Sequence, residues 1–188
     1  MKQVFFSFFL CVMMVQMLQA QNRYKMNVQP VATRIVDRTI LYNDVLSRPG
    51  YDYHVVCIYT NFCAGTKYLF QRIKYFDSLG YDQLHWVLCS SADLRDSLET
   101  VQVMKKNGVY VDTLYMINNI GYKEKRSDDR YKGFVFRKDI CEPCKKDIIG
   151  VPYTIVYNTQ KEVVAFGYIH EEEILKVVGS LAKRKPKN

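Results

Sequence analysis

The sequence predicts an α/β fold, a central mixed sheet flanked by helices, and three observations carry that prediction. Three apolar runs, "YHVVCIYT" (53–60), "LHWVLCSS" (84–91) and "VYVDTLYMI" (109–117), read as buried strands, the first two apolar almost throughout as central parallel strands are. Segments of helical period separate them. The chain then ends in a hairpin and one more helix. Strands alternating with helices, closed by a hairpin and a helix, argue for helices packed on a central sheet.

Each element has its own signal. Residues 1–20 read as a secretory signal: Lys2, the apolar "VFFSFFLCVMMVQML", and a small residue closing Leu-Gln-Ala, with cleavage expected after Ala20. The apolar run is short for a membrane span and nothing later is long enough, so no stable span is expected after cleavage. Residues 21–32 read as a lead-in. "TRIVDRTILYNDVL" alternates apolar and polar residues around Asp37-Arg38, which predicts a short hairpin, and "RPGYD" is a turn. After the first buried strand, Leu69, Phe70, Ile73 and Phe76 fall at helical spacing, and Gly80 stops that helix. After the second, Ser90 and Asp93 stand at capping-box spacing. Leu94, Leu98, Val101 and Met104 then mark an inner helix face, ended by Asn107-Gly108.

Residues 118–138 are polar and charged and read as an exposed excursion, with a short helix expected around 141–148. "PYTIVYN", the turn "TQK" and "EVVAFG" make the hairpin. "HEEEILKVVGSLAKR" closes the chain as a helix whose acidic start and basic end suit its dipole, with Ile174, Val178 and Leu181 buried. The organisation expected is a signal over 1–20, a lead-in over 21–32, one domain over 33–181 and a basic tail over 182–188.

Charge and cysteines bound the function. The chain carries 27 basic and 19 acidic residues, a net of +8. Much of that excess lies in the terminal "AKRKPKN", which reads as a solubilising tail, so no nucleic-acid partner is expected. His54, His85 and His170 stand apart in sequence, without metal-site spacing. Five cysteines follow the signal: Cys57, Cys63, Cys89, Cys141 and Cys144. Export permits pairing, and an odd count leaves at least one thiol without an intramolecular partner. Cys57 and Cys89 lie inside apolar strands and read as core. "CEPCK" at 141–145 lacks the histidine that haem attachment needs, and no second ligand pair suggests zinc. No cofactor is expected.

The order of elements resembles the thioredoxin superfamily, most closely its exported TlpA/ResA-like branch, from about Thr33 to Leu181. Three features carry the resemblance. "VVCIYTNF" leads into Cys63 at a helix start. "LHWVLCSSAD" resembles the family's next strand and its polar exit. "GVPYTIVYN" with "EVVAFG" resembles its cis-proline loop and closing hairpin. The family's Cys-x-x-Cys is here Cys63-Ala64-Gly65-Thr66, its tryptophan is Phe62, and its buried carboxylate is Cys57.

Two thiols at i and i+3 let one site form and release its own disulfide, and Thr66 forbids that. A monothiol site remains. At a helix N-terminus the Cys63 thiolate is favoured, and the Thr66 hydroxyl is in sequence reach to donate to it. The resemblance implies that Pro152, if cis, stands beside Cys63 and that the Val151 backbone pairs with an extended substrate. Cys141 and Cys144 are expected either to form a local disulfide or to supply the resolving thiol. Thr60 and Cys63 also match the Thr-x-x-Cys of peroxiredoxins, but the upstream proline is missing. Two readings stand: thiol-disulfide exchange on cysteine-containing exported proteins or with a redox partner, and a thioredoxin-like binding module that has lost catalysis.

Overall fold

A computed structural model describes residues 31–79, 84–122, 129–146, 150–169 and 172–182. The signal expected over residues 1–20, the expected lead-in as far as residue 30, Gly80, His170 and the basic tail from residue 183 lie outside the described residues. So do the side chains beyond Ser180, including Leu181.

The strands are β1 (Ala32–Val36), β2 (Tyr53–Tyr59), β3 (Leu84–Ser90), β4 (Thr113–Ile117), β5 (Tyr153–Asn158) and β6 (Val163–Gly167). They form one sheet in the order β1-β4-β3-β2-β5-β6. β1, β4, β3 and β2 run parallel, while β5 and β6 run antiparallel as a hairpin. The helices are α1 (Arg38–Ile40), α2 (Ala64–Ser78), α3 (Ser97–Lys106), α4 (Asn119–Tyr122), α5 (Asp129–Ile140) and α6 (Glu172–Ala182). The sheet is therefore mixed and flanked by helices, as the sequence predicts.

Strand alternation sends successive side chains to opposite faces. Val56 and Ile58 of β2 join Phe136, Ile140, Tyr153, Ile155 and Tyr157 in one buried cluster on the α5 face. Tyr59 points the other way and meets Phe70 of α2 edge-on, with ring centroids 5.4 Å apart. Leu69, Phe70, Ile73 and Phe76 are the buried stripe of α2, as their spacing predicts. Each such side chain contributes about 1.5–3 kcal/mol by burial, so Phe70→Ala would remove enough to threaten the fold.

Two expectations in these stretches fail for physical reasons. Residues 33–46 make no hairpin. β1 pairs parallel with β4, and Asp37 accepts a hydrogen bond from the Ile40 amide at 2.9 Å, capping a helical turn that widens into a π-helix over Leu41–Val45. The alternation around Asp37 is a strand followed by a helix start. The described part of the polar stretch is no exposed excursion, because residues 129–138 lie in α5. That helix buries Lys132, Gly133, Phe136, Arg137 and Ile140, a stripe at helical spacing in which cations stand where apolar residues are usual. Long basic side chains can bury their stems, and the Arg137 guanidinium lies 4.2 Å from the Tyr153 ring centroid. The short helix expected around 141–148 is present as a 3₁₀ turn over Pro143–Lys146, and residues 147–149 lie outside the described residues.

On α3, Thr100 and Met104 are the buried side chains, whereas Leu98 is 77% exposed. A 3₁₀ turn over Leu94–Asp96, capped by Asp93, delays the helix start, and Leu94 and Leu98 face outward while Met104 stays inside.

His54 and His85 are not isolated either. The parallel register sets them side by side on β2 and β3, with Nδ1 atoms 2.9 Å apart and Tyr51 stacked on His85. Residues far apart in sequence become neighbours only once strands pair.

Candidate functional site

Cys63 is the N-cap of α2, just beyond the carboxyl end of β2. Its amide donates to the Thr60 carbonyl at 3.3 Å, and its own carbonyl accepts from the Thr66 amide at 2.9 Å. The half-buried sulfur thus sits where the first-turn amides of α2 have no partner within the helix. Antiparallel pairing of β5 with β2 sets Tyr153 against Ile58, which carries residues 151 and 152 to the same end of the sheet. The Cys63 thiol donates to the Val151 carbonyl at 2.9 Å, and the Val151–Pro152 peptide is cis. Cys63, Val151 and Pro152 therefore form one site.

Gly65 completes it, although no sequence motif points to it. A Cβ there would lie 2.6 Å from Pro152 Cδ, closer than real Cβ atoms approach, so only glycine lets the proline ring rest on the first turn of α2. The signal that sequence offers is a poor helix former inside a helix start. Gly133 makes a similar close approach on α5, where a Cβ would meet Ile58 Cγ2 at 3.1 Å and Val151 Cγ1 at 3.4 Å. Lys132, equally unmarked by sequence, ties two loops together at this end. Its ammonium donates to the Ala92 carbonyl at 2.8 Å and to Asn119 Oδ1 at 2.7 Å. The Lys132 charge that makes this stretch look solvated meets one buried and one half-buried carbonyl-type acceptor.

Thr66 takes a different role from the one expected. Its side chain is 2% exposed, and its hydroxyl donates to the Thr60 carbonyl at 2.7 Å instead of to the Cys63 sulfur. A buried hydroxyl needs an acceptor, and the chain leaving β2 offers one. Thr66 pins the turn that carries Cys63.

Cys141 and Cys144 form a buried disulfide with Cα atoms 5.3 Å apart. As resolving thiols for Cys63 they are misplaced. α5 starts beside Ile58 and Val151 and runs back along the sheet to Ile140, whose carbonyl accepts from Tyr157 at 2.6 Å and Tyr42 at 2.9 Å. Tyr157 pairs with His54 near the amino end of β2, whereas Cys63 lies beyond the other end. The disulfide also belongs to the cluster on the α5 face, opposite α2. The segment before Pro152 reaches the site only after that excursion.

Cys57 and Cys89 are fully buried, and burial pushes both thiols up, Cys57 to about 12. They stay protonated and closed to solvent. Among the described residues, no group of three or more His, Cys, Asp or Glu is placed to hold a metal ion, and no helix is long and apolar enough to cross a membrane.

No protein-family profile and no curated protein matches the chain. Solved structures do. The thioredoxin domain of a thiol-disulfide oxidoreductase from Bacteroides vulgatus matches with a TM-score of 0.51 at 12% identity, over 75% of this chain and 84% of that one. A thioredoxin-like protein from Porphyromonas gingivalis gives 0.48 at 13%, over 74% and 81%. A thiol-disulfide oxidoreductase from Bacteroides fragilis gives 0.47 at 14%, over 69% and 80%. At such identities the likeness is one of fold, and the first of these carries it: the chain has a thioredoxin-like fold.

Proposed function

We propose that this chain carries out thiol-disulfide exchange through a single nucleophile, Cys63, on cysteine-containing exported proteins. The observation that supports it most is the sulfur at the N-cap of α2, hydrogen-bonded at 2.9 Å to the carbonyl of Val151. In the reaction the Cys63 proton passes to solvent and the thiolate attacks one sulfur of a substrate disulfide. A new Sγ–S bond forms, and the other substrate sulfur leaves with the electron pair of the broken bond. Ionisation also removes the hydrogen bond to Val151, so its carbonyl becomes free to accept an N–H from an extended substrate strand. Docking and activation thus use the same atom.

The apolar stretch over residues 4–18 and the small residue Ala20 support export, and the order of motifs supports a TlpA/ResA-like place within the fold. A second reading, a binding module without catalysis, draws support from Thr66, whose hydroxyl is committed to Thr60, and from Phe62, 75% exposed beside Cys63.

Trapping separates the two. Purified without reductant, the chain should carry mixed disulfides that Cys63→Ser abolishes and Cys57→Ser leaves intact, read on non-reducing gels and by mass spectrometry. The same adducts recovered from Cys63→Ser would sink the nucleophile assignment. Partners that stay bound to Cys63→Ser without a covalent link would support the binding module.

A further inference from the structure

The segment that carries the Val151 carbonyl is met on three sides by close approaches at glycine. Gly65 on α2 admits the Pro152 ring, and Gly133 on α5 admits the Val151 side chain. The third is Gly150, where a Cβ would collide with the Tyr168 hydroxyl and lie 3.1 Å from ring atoms Cε1 and Cζ. The half-buried Tyr168 ring therefore rests on bare backbone, one residue before Val151.

The sheet aims that ring. Thr154 pairs with Gly167 in the hairpin of β5 and β6, so Tyr168 comes opposite Tyr153. The two rings meet edge-on, with centroids 5.5 Å apart and planes at 75°. Gly167 has φ +148°, which L side chains rarely adopt, and there the chain leaves β6. Tyr153 is itself fully buried, and the Arg137 guanidinium lies 4.2 Å from its ring centroid. Packed interiors resist displacement, so Tyr153 backs the Tyr168 ring and holds it on Gly150.

Building on the exchange reading, we propose that Tyr168 is a positioning residue: it clamps the Gly150–Val151 segment so that the Val151 carbonyl stays 2.9 Å from the Cys63 sulfur. Its contribution is to docking. Once Cys63 ionises, that carbonyl accepts a peptide N–H of the substrate, and its fixed place brings the adjoining disulfide to the thiolate. Misplacement by about 1 Å at such a site costs a large factor in rate. Tyr168 acts through the backbone and not on the sulfur itself.

The test compares two neutral disulfides on the whole chain. The disulfide of N-acetylcysteine methylamide brings peptide N–H groups, and hydroxyethyl disulfide brings none. With either, the Cys63 thiolate attacks one sulfur, Cys63–S–S–R forms and RS⁻ leaves, followed by mass spectrometry. Each rate is divided by that of the same reagent with 3-mercaptopropanol. In the parent, the corrected ratio of amide to hydroxyethyl reagent should be about three to ten, the effect of one hydrogen bond. Tyr168→Ala and Gly150→Ala should each bring that ratio to about one, with the hydroxyethyl rate held within about two-fold. Tyr168→Phe keeps the ring and should keep the ratio. In Gly150→Ala/Tyr168→Phe the colliding hydroxyl is gone, so the ratio should recover to at least about half its parent value. A general loosening of the fold would move both rates together and show no such rescue. Should urea denaturation find Tyr168→Ala unfolded, Tyr168→Leu takes its place with the same expectation. A parent ratio of one, a ratio that survives both alanine variants, or no recovery in the double variant would overturn the proposal and leave the exchange reading standing. Failure of Cys63 to react with either reagent would overturn both.

Discussion

The two ends of the sheet hold the same kinds of group in opposite states. At the carboxyl end of β2, Cys63 is half-buried and its thiol hydrogen-bonds to the Val151 carbonyl on the segment entering β5. Toward the amino end, Cys141 and Cys144 share that i, i+3 spacing but form a buried disulfide. Two histidines there, His54 and His85, bond to each other. Place on the sheet decides what each motif does. A parallel strand delivers the chain at its carboxyl end into a loop and a helix N-terminus, where donors lie open. The amino end is sealed by α5, Tyr42 and Tyr157, and its polar groups satisfy one another.

If place and the missing second thiol together define the Cys63 site, restoring that thiol changes its chemistry most. Thr66→Cys sets a sulfur one helical turn from Cys63. The lost bond to the Thr60 carbonyl costs about 1 kcal/mol, which the packed turn can absorb. Internal attack then competes with any outside thiol at a high effective concentration. The yield of trapped mixed disulfide should fall at least about ten-fold on non-reducing gels. An unchanged yield would mean that position 66 does not face the sulfur, and the comparison with Cys141–Cys144 would lose its basis.

A smaller effect is expected from Gly65→Ala. The added Cβ, 2.6 Å from Pro152 Cδ, must push the ring or the helix away. Overpacking of this kind costs about 1–3 kcal/mol, against at most about 1 kcal/mol gained from helix propensity. Urea denaturation should show net destabilisation, and adduct formation at Cys63 should slow several-fold as the Val151 carbonyl shifts. Gly179→Ala on α6, where a Cβ meets nothing within 4 Å, should stabilise instead. If both variants behave alike, the close approach at residue 65 is not what places the sulfur.

The reactive end is the more legible of the two in the amino-acid sequence. The buried strands, the stripe of α2, the closing hairpin and the motif order around Cys63 and Pro152 all rest on period and punctuation, which sequence displays directly. What sequence hides depends on partners. α5 is hidden because Lys132 and Arg137 read as solvated until a carbonyl and an aromatic ring stand beside them. Thr66 reads as a donor to sulfur because nothing in the sequence reveals a free carbonyl at Thr60. The Cys141–Cys144 disulfide is one of two open readings, and only the course of α5 places it away from Cys63. The His54–His85 pair requires the register of β2 on β3.

That pair offers the mildest way to separate the two ends. Burial, the neighbouring imidazole and the Arg48 charge hold His85 down at about 4, and burial with Arg48 and Lys161 lowers His54 as well. Unfolded histidine titrates near 6.5. A lowered value in the folded state means that the unfolded chain takes up the protons first. The pair's contribution is therefore intact above about pH 6.5 and is lost as pH falls toward 4. For His85 alone, between pH 7 and 4.5, this amounts to about 2–3 kcal/mol. His85→Gln keeps a hydrogen-bonding side chain without the titration, so denaturation midpoints of variant and parent should differ in their pH dependence by that amount. Carboxylates that titrate over the same range cancel in the difference. Adduct formation at Cys63 should follow one pH profile in both proteins, because the imidazoles lie at the other end of β2. A variant that altered that profile would show that the two ends are coupled through the strand, and the division between a reactive end and a sealed one would fail.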